Sequence, residues 1–239
     1  MKALILWIAF LSSLHAATTI SASNISLQGA HIDSLNVKRD VGSGILVAGN
    51  NSAVVTPALF NGIFVFDISA IPDAQFITSA QLTMRHSNDF GTEPAGSLRV
   101  DLYLVGFGSS SSVYPSEAIF KNDDIDQPTG DGVRLADNWF DWSTVGQSKT
   151  LASAGLVAGL NTRPGNGNPT TSNDFVFFRM NTDSPASTTF RNSLGFSNLA
   201  ASPGNFPTLS VTYDVVPEPS ALMISLVTVG MLVVRRRSA

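Results

Sequence analysis

The middle of the chain alternates apolar and polar positions in the way that β-strands do. Residues 80–85 and 98–104 each place apolar side chains at every second position, which predicts strands with one buried face and one solvated face. In the second of these strands, Arg99, Asp101 and Tyr103 fall on the predicted solvated face.

Other segments predict strands of a second kind. Residues 63–68 and 175–180 are apolar at consecutive positions, as strands buried on both faces are, and residues 209–213 alternate again. Turn residues, above all Gly, Pro, Asn and Asp, separate these segments. The fold class predicted is therefore all-β, a single β-sandwich or jelly roll over residues 18–214.

One segment has helical spacing, and two connections are long. Apolar residues at 151, 154, 156, 157 and 160 predict one short helix that ends at Asn161. Residues 109–137 and 161–173 exceed an ordinary hairpin loop. They are either functional excursions or contain short strands.

The first 17 residues have the layout of a secretory signal peptide. Lys2 precedes an apolar run at residues 3–11, and small residues follow, including Ala16 and Ala17. Cleavage after either alanine leaves a mature chain that starts near Thr18. The alternative is a buried first strand or helix.

Residues 215–239 contain three ordered parts. Their order is Pro217-Glu218-Pro219, an apolar run at residues 221–234, and Arg235-Arg236-Arg237. Arginines beside an apolar run favour a membrane helix whose end stays in the cytoplasm. Fourteen helical residues rise about 21 Å, less than the roughly 30 Å hydrocarbon core, so snorkelling arginines or local thinning must help the span. The alternative is a core helix.

This tail resembles the PEP-CTERM sorting signal of Gram-negative bacteria that make exopolysaccharide. The resemblance covers residues 216–239 and rests on the Pro-Glu-Pro, the hydrophobic stretch and the terminal arginines. It implies recognition by an exosortase, a membrane processing enzyme, with cleavage near the Pro-Glu-Pro. It also implies anchoring in the inner membrane before processing, and then a place in the cell envelope, at the surface or in the extracellular matrix.

A second resemblance concerns the domain between the two ends. Residues 64–72 (FVFDISAIP) and 77–84 (ITSAQLTM) are similar to the corresponding run of secreted DNRLRE-type modules, which are jelly rolls similar to carbohydrate-binding modules. The resemblance implies a jelly roll over residues 18–214. Where members of that family often carry Trp-x-Glu, this chain has Trp139-Phe140-Asp141-Trp142.

Charge and composition exclude several classes of function. Of 18 acidic and 14 basic residues, one acid and four bases lie in the end segments, which leaves 17 acids and 10 bases, or −7, for the middle. That charge argues against a nucleic-acid partner. With no cysteine, the exported domain has no disulfide, thiol nucleophile or Cys-based metal site.

Catalytic and metal-binding signals are weak. The mature chain has two histidines, His31 and His86, each expected to be on the surface or satisfied, and no nucleophile elbow or metalloprotease motif. We therefore predict no enzyme activity and no cofactor; a secreted hydrolase would need a pocket where one of these histidines meets a carboxylate.

An acidic stretch offers a possible calcium site. Its candidate ligands are Asp123, Asp124, Asp126 and Asp131. Gln127 and Val133 occupy positions where an EF-type loop needs Gly and Glu, so the alternatives are an irregular calcium site and a solvated loop.

The aromatic residues Trp139, Phe140 and Trp142 are the best ligand candidates. Sugars stack on aromatic rings, and Asp137, Asn138 and Asp141 would supply polar partners. The alternative is that the tryptophans close the core. The prediction is an exported, non-enzymatic envelope or matrix protein; a polysaccharide-binding module is the second hypothesis and a secreted hydrolase the third.

Overall fold

The computed structural model is mostly β-structure with antiparallel pairing. It describes residues 14–21, 30–32, 38–40, 45–51, 58–71, 75–91, 98–110, 132–163, 173–182, 192–197 and 207–215. The strands are β1 Leu14–Ser21, β2 Ala30–Ile32, β3 Lys38–Asp40, β4 Ile45–Asn51, β5 Ala58–Phe60, β6 Gly62–Asp67, β7 Ile77–Gly91, β8 Arg99–Gly108, β9 Val133–Asp141, β10 Ser148–Leu151, β11 Phe175–Thr182, β12 Asn192–Ser197 and β13 Thr208–Val215. A 3-10 turn at Trp142–Thr144 and the helix α1, Ala154–Leu160, complete the described elements.

Two larger sheets organise these strands. The first has the order β1-β13-β7-β12-β4-β5, with β10 also paired to β7, and the second has the order β6-β11-β8-β9. The hairpin β2-β3 is a small separate sheet. The long strand β7 unites the first sheet, because its first half pairs with β13 (Thr83 opposite Thr208) and its second half pairs with β12 (Gly91 opposite Asn192).

The hydrophobic core lies between the two larger sheets. Phe66 of β6 and Phe178 of β11 meet edge to face, with ring centroids 5.7 Å apart. Apolar side chains of β7, β12 and β13 belong to the same core, among them Leu82, Phe196 and Leu209. The architecture is therefore sandwich-like, with each sheet burying one face against the other.

The predicted strands lie where the apolar pattern places them, and the helix contains all of its predicted apolar residues except Leu151, which is the last residue of β10. The five predicted segments appear as β6, β7, β8, β11 and β13, and the alternation in β7 buries Leu82 and Met84 while Gln81 is exposed. The helix α1 begins after Ser153, whose side chain accepts the backbone N–H of Leu156 at 3.1 Å, and ends before Asn161. Of the long connection 109–137, the last residues form the start of β9, so that stretch contains a strand.

One part of the alternation prediction is wrong. Asp101 and Tyr103, expected on a solvated face of β8, are both buried, and only Arg99 is exposed. The second sheet is therefore buried on both faces at this point. The consecutive apolar residues of β6 and β11 already indicated this for their own strands.

The two predicted end segments lie largely outside the described residues. Of residues 1–17, the structure describes 14–17, which form the first half of β1; of residues 215–239, it describes Val215 alone, the last residue of β13. The predicted helix at 221–234 and the sorting motif are thus outside the described ranges. Among the residues that are described, no helix has the length and apolarity needed to cross a bilayer.

A pair of phenylalanine variants tests the position of the core. Phe178→Ala removes a fully buried ring that packs on Phe66, and we expect it to lower the free energy of unfolding by about 3–5 kcal/mol. Phe76, which is 60% exposed, is the matched control, and Phe76→Ala should change it by less than about 0.5 kcal/mol. Urea unfolding measures both values, and equal effects would contradict the assignment of the core.

Candidate functional site

The fold brings a hydroxyl, an imidazole and a carboxylate together inside the protein. The Nδ1 atom of His86 lies 2.9 Å from Oγ1 of Thr144, and its Nε2 atom lies 2.8 Å from Oδ1 of Asp89. Nε2 also lies 3.1 Å from the backbone oxygen of Asn88. Distances and order are those of a nucleophile, base and orienting acid in a hydrolase, so this group is the first candidate for chemistry.

The hydrogen bonds of Thr144 argue against a catalytic role. Its hydroxyl donates to the backbone oxygen of Asp141 at 2.6 Å and accepts the N–H of the same residue at 3.3 Å. The Thr144 oxygen is thus an acceptor for His86 Nδ1–H, whereas a general base must receive the proton of the nucleophile. Thr144 closes the 3-10 turn through these bonds, and that is a structural task.

Burial closes the same group to substrates. The His86 ring is fully buried and contacts the rings of Phe140 and Phe196, with centroids 6.1 and 5.6 Å away. Thr144 is also buried. His86 of β7 is therefore a core residue whose ring nitrogens have polar partners. It contacts a carboxylate, as a hydrolase requires, but its buried ring is not open to a substrate.

The pKa values of His86 and Asp89 are each subject to opposing influences. Burial lowers the pKa of His86 below its usual value, while the charge of Asp89 acts to raise it. Burial likewise raises the pKa of Asp89, and the nearby imidazole acts to lower it. Because Nε2 faces two oxygen atoms, both contacts are favourable only when Nε2 carries a proton.

A second group of polar residues lies on the outer face of the sheet β6-β11-β8-β9. Val100, Leu102, Phe178 and Met180 point into the core, so the alternate residues Asp101, Tyr103, Arg179 and Asn181 point to the other face. The strand register places Asn181 opposite Asp101, and Arg179 between Ile63 and Tyr103. Asn61 precedes β6 and falls beside Asn181, one position beyond the pair of Gly62 and Met180. We call Asn61, Asn181 and Asp101, with Asn138 of β9, the outer polar row.

The outer polar row contains buried amides that lack hydrogen bonds. Asn61, Asn181 and Asp101 are all at least nine-tenths buried. Within the described part of the chain, no group bonds to Nδ2 or Oδ1 of Asn61, to Oδ1 of Asn181 or to Oδ1 of Asn138. An unpaired buried polar group typically costs about 1–3 kcal/mol, so the unpaired atoms of this row lower the stability of the fold.

Asp101, by contrast, is well provided with donors. Its Oδ1 atom accepts the backbone N–H of Asn138 at 2.7 Å, and its Oδ2 atom accepts the hydroxyl of Tyr103 at 3.3 Å. Asn138 adopts a φ of 49°, a left-handed conformation that asparagine tolerates better than most residues. Burial raises the pKa of Asp101, and burial together with Asp101 raises the pKa of Tyr103 to about 12.

Charges around the outer polar row are balanced. Nη1 of Arg134 lies 3.6 Å from Oδ2 of Asp101 and 3.1 Å from Oδ1 of Asp137. The guanidinium of Arg179 lies 5.3 Å from the centre of the Tyr103 ring. Two arginines thus stand beside two aspartates, and the row has no large net charge.

The predicted glycan-contact residues lie mainly in the core. Trp139 and Phe140 are buried members of the core between the sheets, with ring centroids 4.8 Å apart, and Trp142 is half-buried against the same core. Lys149 donates from Nζ to the Trp139 backbone oxygen at 2.7 Å and lies over the Phe140 ring. Trp139 and Phe140 therefore pack in the core. Of the three aromatic residues, Trp142 is the remaining candidate for a surface on which sugars stack.

Other predicted site residues fall outside the described ranges. These are the calcium candidates Asp123, Asp124, Asp126 and Asp131, the motif Pro217-Glu218-Pro219 and the arginines Arg235, Arg236 and Arg237. His31 lies in β2, opposite Arg39. In the ranges that the structure does describe, no three His, Asp or Glu side chains are grouped so as to hold a metal ion.

Comparison with known proteins places no constraint on these sites. No family model matches the chain, and no curated protein matches it in sequence. The sites therefore rest on the geometry of the chain itself.

Sequence reasoning missed the outer polar row and the Thr144–His86–Asp89 group. The sequence does contain a signal for the row. Arg179 interrupts the apolar run of β11 and Asn181 follows it, in a strand that is buried on both faces. Nothing in the sequence places Thr144 beside His86, because the two are 58 positions apart and meet through the pairing of strands and the 3-10 turn.

Acidification should separate Asp89→Asn from the wild-type protein. The folded-state pKa of His86 is lowered, so below about pH 6.5 the unfolded state binds more protons than the folded state. The free energy of unfolding therefore decreases as the pH is lowered through this range. Asp89→Asn removes the negative charge that limits the lowering of the His86 pKa. It also removes a carboxyl group whose raised pKa adds stability as the pH is lowered. We expect the variant to lose on the order of 1 kcal/mol more than wild type between about pH 7.5 and 5.5.

Urea unfolding at several pH values measures this difference. Asp67→Asn serves as the control, since Asp67 bonds only to the nearby Ser69 N–H among the contacts described, at 2.9 Å, and it should follow the wild-type slope. Parallel curves for Asp89→Asn and wild type would show that the two groups are not coupled.

Proposed function

We propose that this chain is an exported, non-enzymatic protein of the cell envelope or extracellular matrix, sorted by its C-terminal segment. The observation that carries the proposal is the tail, in which Pro217-Glu218-Pro219, an apolar stretch at 221–234 and three arginines follow in order. The last strand, β13, ends at Val215, two residues before Pro217. The sorting motif thus directly follows the folded domain, where a membrane processing enzyme of the exosortase type would have to find it.

The physical character of the motif supports this role. Each proline lacks a backbone N–H and disfavours helix at the residue before it, so the sequence favours extended conformations at Val216 and Glu218. An extended peptide carrying one acidic side chain, just outside the membrane, is a suitable substrate for a processing enzyme. The arginines after residue 234 hold the other end of the helix in the cytoplasm.

The surroundings of His86 argue against a hydrolase site at this residue. The one described imidazole that meets a carboxylate is fully buried, and the hydroxyl beside it is an acceptor already engaged in a turn. A secreted hydrolase, the most distant alternative, would need this group to open to solvent.

We further propose that the domain over residues 18–214 is a jelly roll of the DNRLRE type. The two antiparallel sheets with a shared core, the one short helix and the closing strand β13 support this assignment. The second candidate function, binding of extracellular polysaccharide, follows from the same similarity, and half-buried Trp142 supports it.

Replacing both prolines of the motif tests the sorting proposal. We expect Pro217→Ala with Pro219→Ala to leave unprocessed chain in the inner membrane, because the helix can then extend into the motif. Intact-mass measurement of the membrane and released fractions gives the C-terminus. Pro207→Ala, at the residue before β13, is the control and should be processed normally. A mature C-terminus shared by wild type and the double variant would refute the proposal.

The proposed signal cleavage makes a separate prediction about β13. Leu14–Ala17 pair with Thr212–Val215, and Thr18–Ser21 pair with Thr208–Val211. A chain beginning at Thr18 keeps only the second set of pairs, so the backbone amides at 212–215 that face β1 should exchange with deuterium faster than in a chain beginning at Leu14. The Asp214 amide donates to the Phe76 backbone oxygen at 3.0 Å, on the β7 side, and should not change. Amides at 208–211 are the internal control. Equal exchange at 212–215 in the two chains would mean that the first half of β1 does not protect this edge.

A further inference from the structure

Phe76, the residue before β7, is a large apolar side chain in an exposed position. Among the residues that the structure describes, three large apolar side chains are exposed, and Phe76 is the most exposed of them at 60%. Its neighbour Ile77, by contrast, is buried in the core. Single apolar residues are common on protein surfaces, so what distinguishes Phe76 is its position in the fold.

Hydrogen bonds fix the backbone from which the Phe76 ring projects. The N–H of Ile77 donates to Oδ1 of Asn161 at 2.9 Å, and Nδ2 of Asn161 donates to the Ile77 backbone oxygen at 2.8 Å. The backbone oxygen of Phe76 itself accepts the N–H of Asp214 at 3.0 Å. A partner that takes up the ring therefore has little backbone freedom to remove, which lowers the entropic cost of binding.

The bond to Asp214 also places Phe76 beside the sorting motif. Pro217 follows Asp214 by three residues and Pro219 follows it by five, so the two prolines lie within about 11 and 18 Å of Asp214 even in a fully extended chain. A protein interface covers about 800 Å² on each partner, a patch roughly 30 Å across. An enzyme that holds the motif is therefore close enough to cover the Phe76 ring.

We propose that Phe76 is a docking residue for the membrane enzyme that processes the tail, and that an apolar pocket of this enzyme receives the ring. The proposal rests on the proposed sorting function and gives the enzyme a second contact, on the folded domain, in addition to Pro217-Glu218-Pro219. A short extended peptide with one charged side chain offers little apolar surface. An exposed phenylalanine supplies such surface, and buried aromatic side chains contribute strongly to binding at protein interfaces.

The rate of C-terminal processing tests this contact. Phe76→Ala in the full chain should slow processing by about three- to tenfold, as expected for the loss of one aromatic contact at an interface. The thermal midpoint should not change, because the ring is exposed in the folded domain. Pulse-chase labelling in cells that make the full chain and its processing enzyme measures the rate, with intact mass to identify the product.

Val145 provides a matched control at a distant position. Its side chain is 47% exposed, and the next residue, Gly146, donates to the His86 backbone oxygen at 2.8 Å. His86 is ten residues along β7 from Phe76, so Val145 lies about 30 Å away, and Val145→Ala should be processed at the wild-type rate. A photoreactive benzoylphenylalanine in place of Phe76 should form a crosslink to the processing enzyme, and the same group in place of Val145 should not.

Three outcomes would overturn the proposal. Equal processing rates for wild type and Phe76→Ala would refute the docking residue, with the proposed sorting retained. Crosslinks from position 76 to lipid alone would place the ring at the membrane surface and would refute the contact with the enzyme. A wild-type chain that is never processed would refute the sorting proposal and the docking residue together.

Discussion

Burial of apolar side chains between two antiparallel sheets is the interaction on which the rest of this structure depends. The chain has no cysteine, so no disulfide constrains the domain, and the contact of β6, β8 and β11 with β7, β12 and β13 must supply most of its stability. Phenylalanine rings such as Phe66, Phe178 and Phe196 occupy the middle of this contact. Because β7 spans both halves of its sheet, a single strand aligns β12 and β13 over the opposite sheet.

Polar groups inside this framework show two different solutions. His86 is buried with a hydroxyl, a carbonyl oxygen and a carboxylate in contact with its two nitrogens, so the core accepts it as a satisfied residue. On the outer face of the second sheet, Asp101 is equally satisfied, yet Asn61 and Asn181 beside it carry unpaired atoms within the described residues. The first arrangement stabilises the fold, whereas the second costs stability.

The strand order also connects the domain to its proposed processing. β1 and β13 are neighbours, so the two ends of the domain meet at one edge of the larger sheet. Proposed cleavage near Thr18 would shorten β1, and the proposed sorting motif follows β13 by two residues. Both processing events would therefore act at the same edge of the sheet. Backbone groups of β13 at this edge are paired by β1, or exposed where β1 is shortened.

By itself, the sequence determined that the fold is mostly β-structure, and it determined the positions of five strands and of the helix α1, because side-chain periodicity follows directly from backbone geometry. It also determined the balance of charge, and it predicts a signal peptide and a sorting segment at the two ends. Only the tertiary structure decided that Asp101 and Tyr103 are buried, since their sheet is covered on both faces and alternation along a strand cannot reveal a covering layer. It alone placed Trp139 and Phe140 in the core and brought Thr144 to His86 and Asn181 to Asp101, because such contacts arise from strand pairing between residues far apart in the chain.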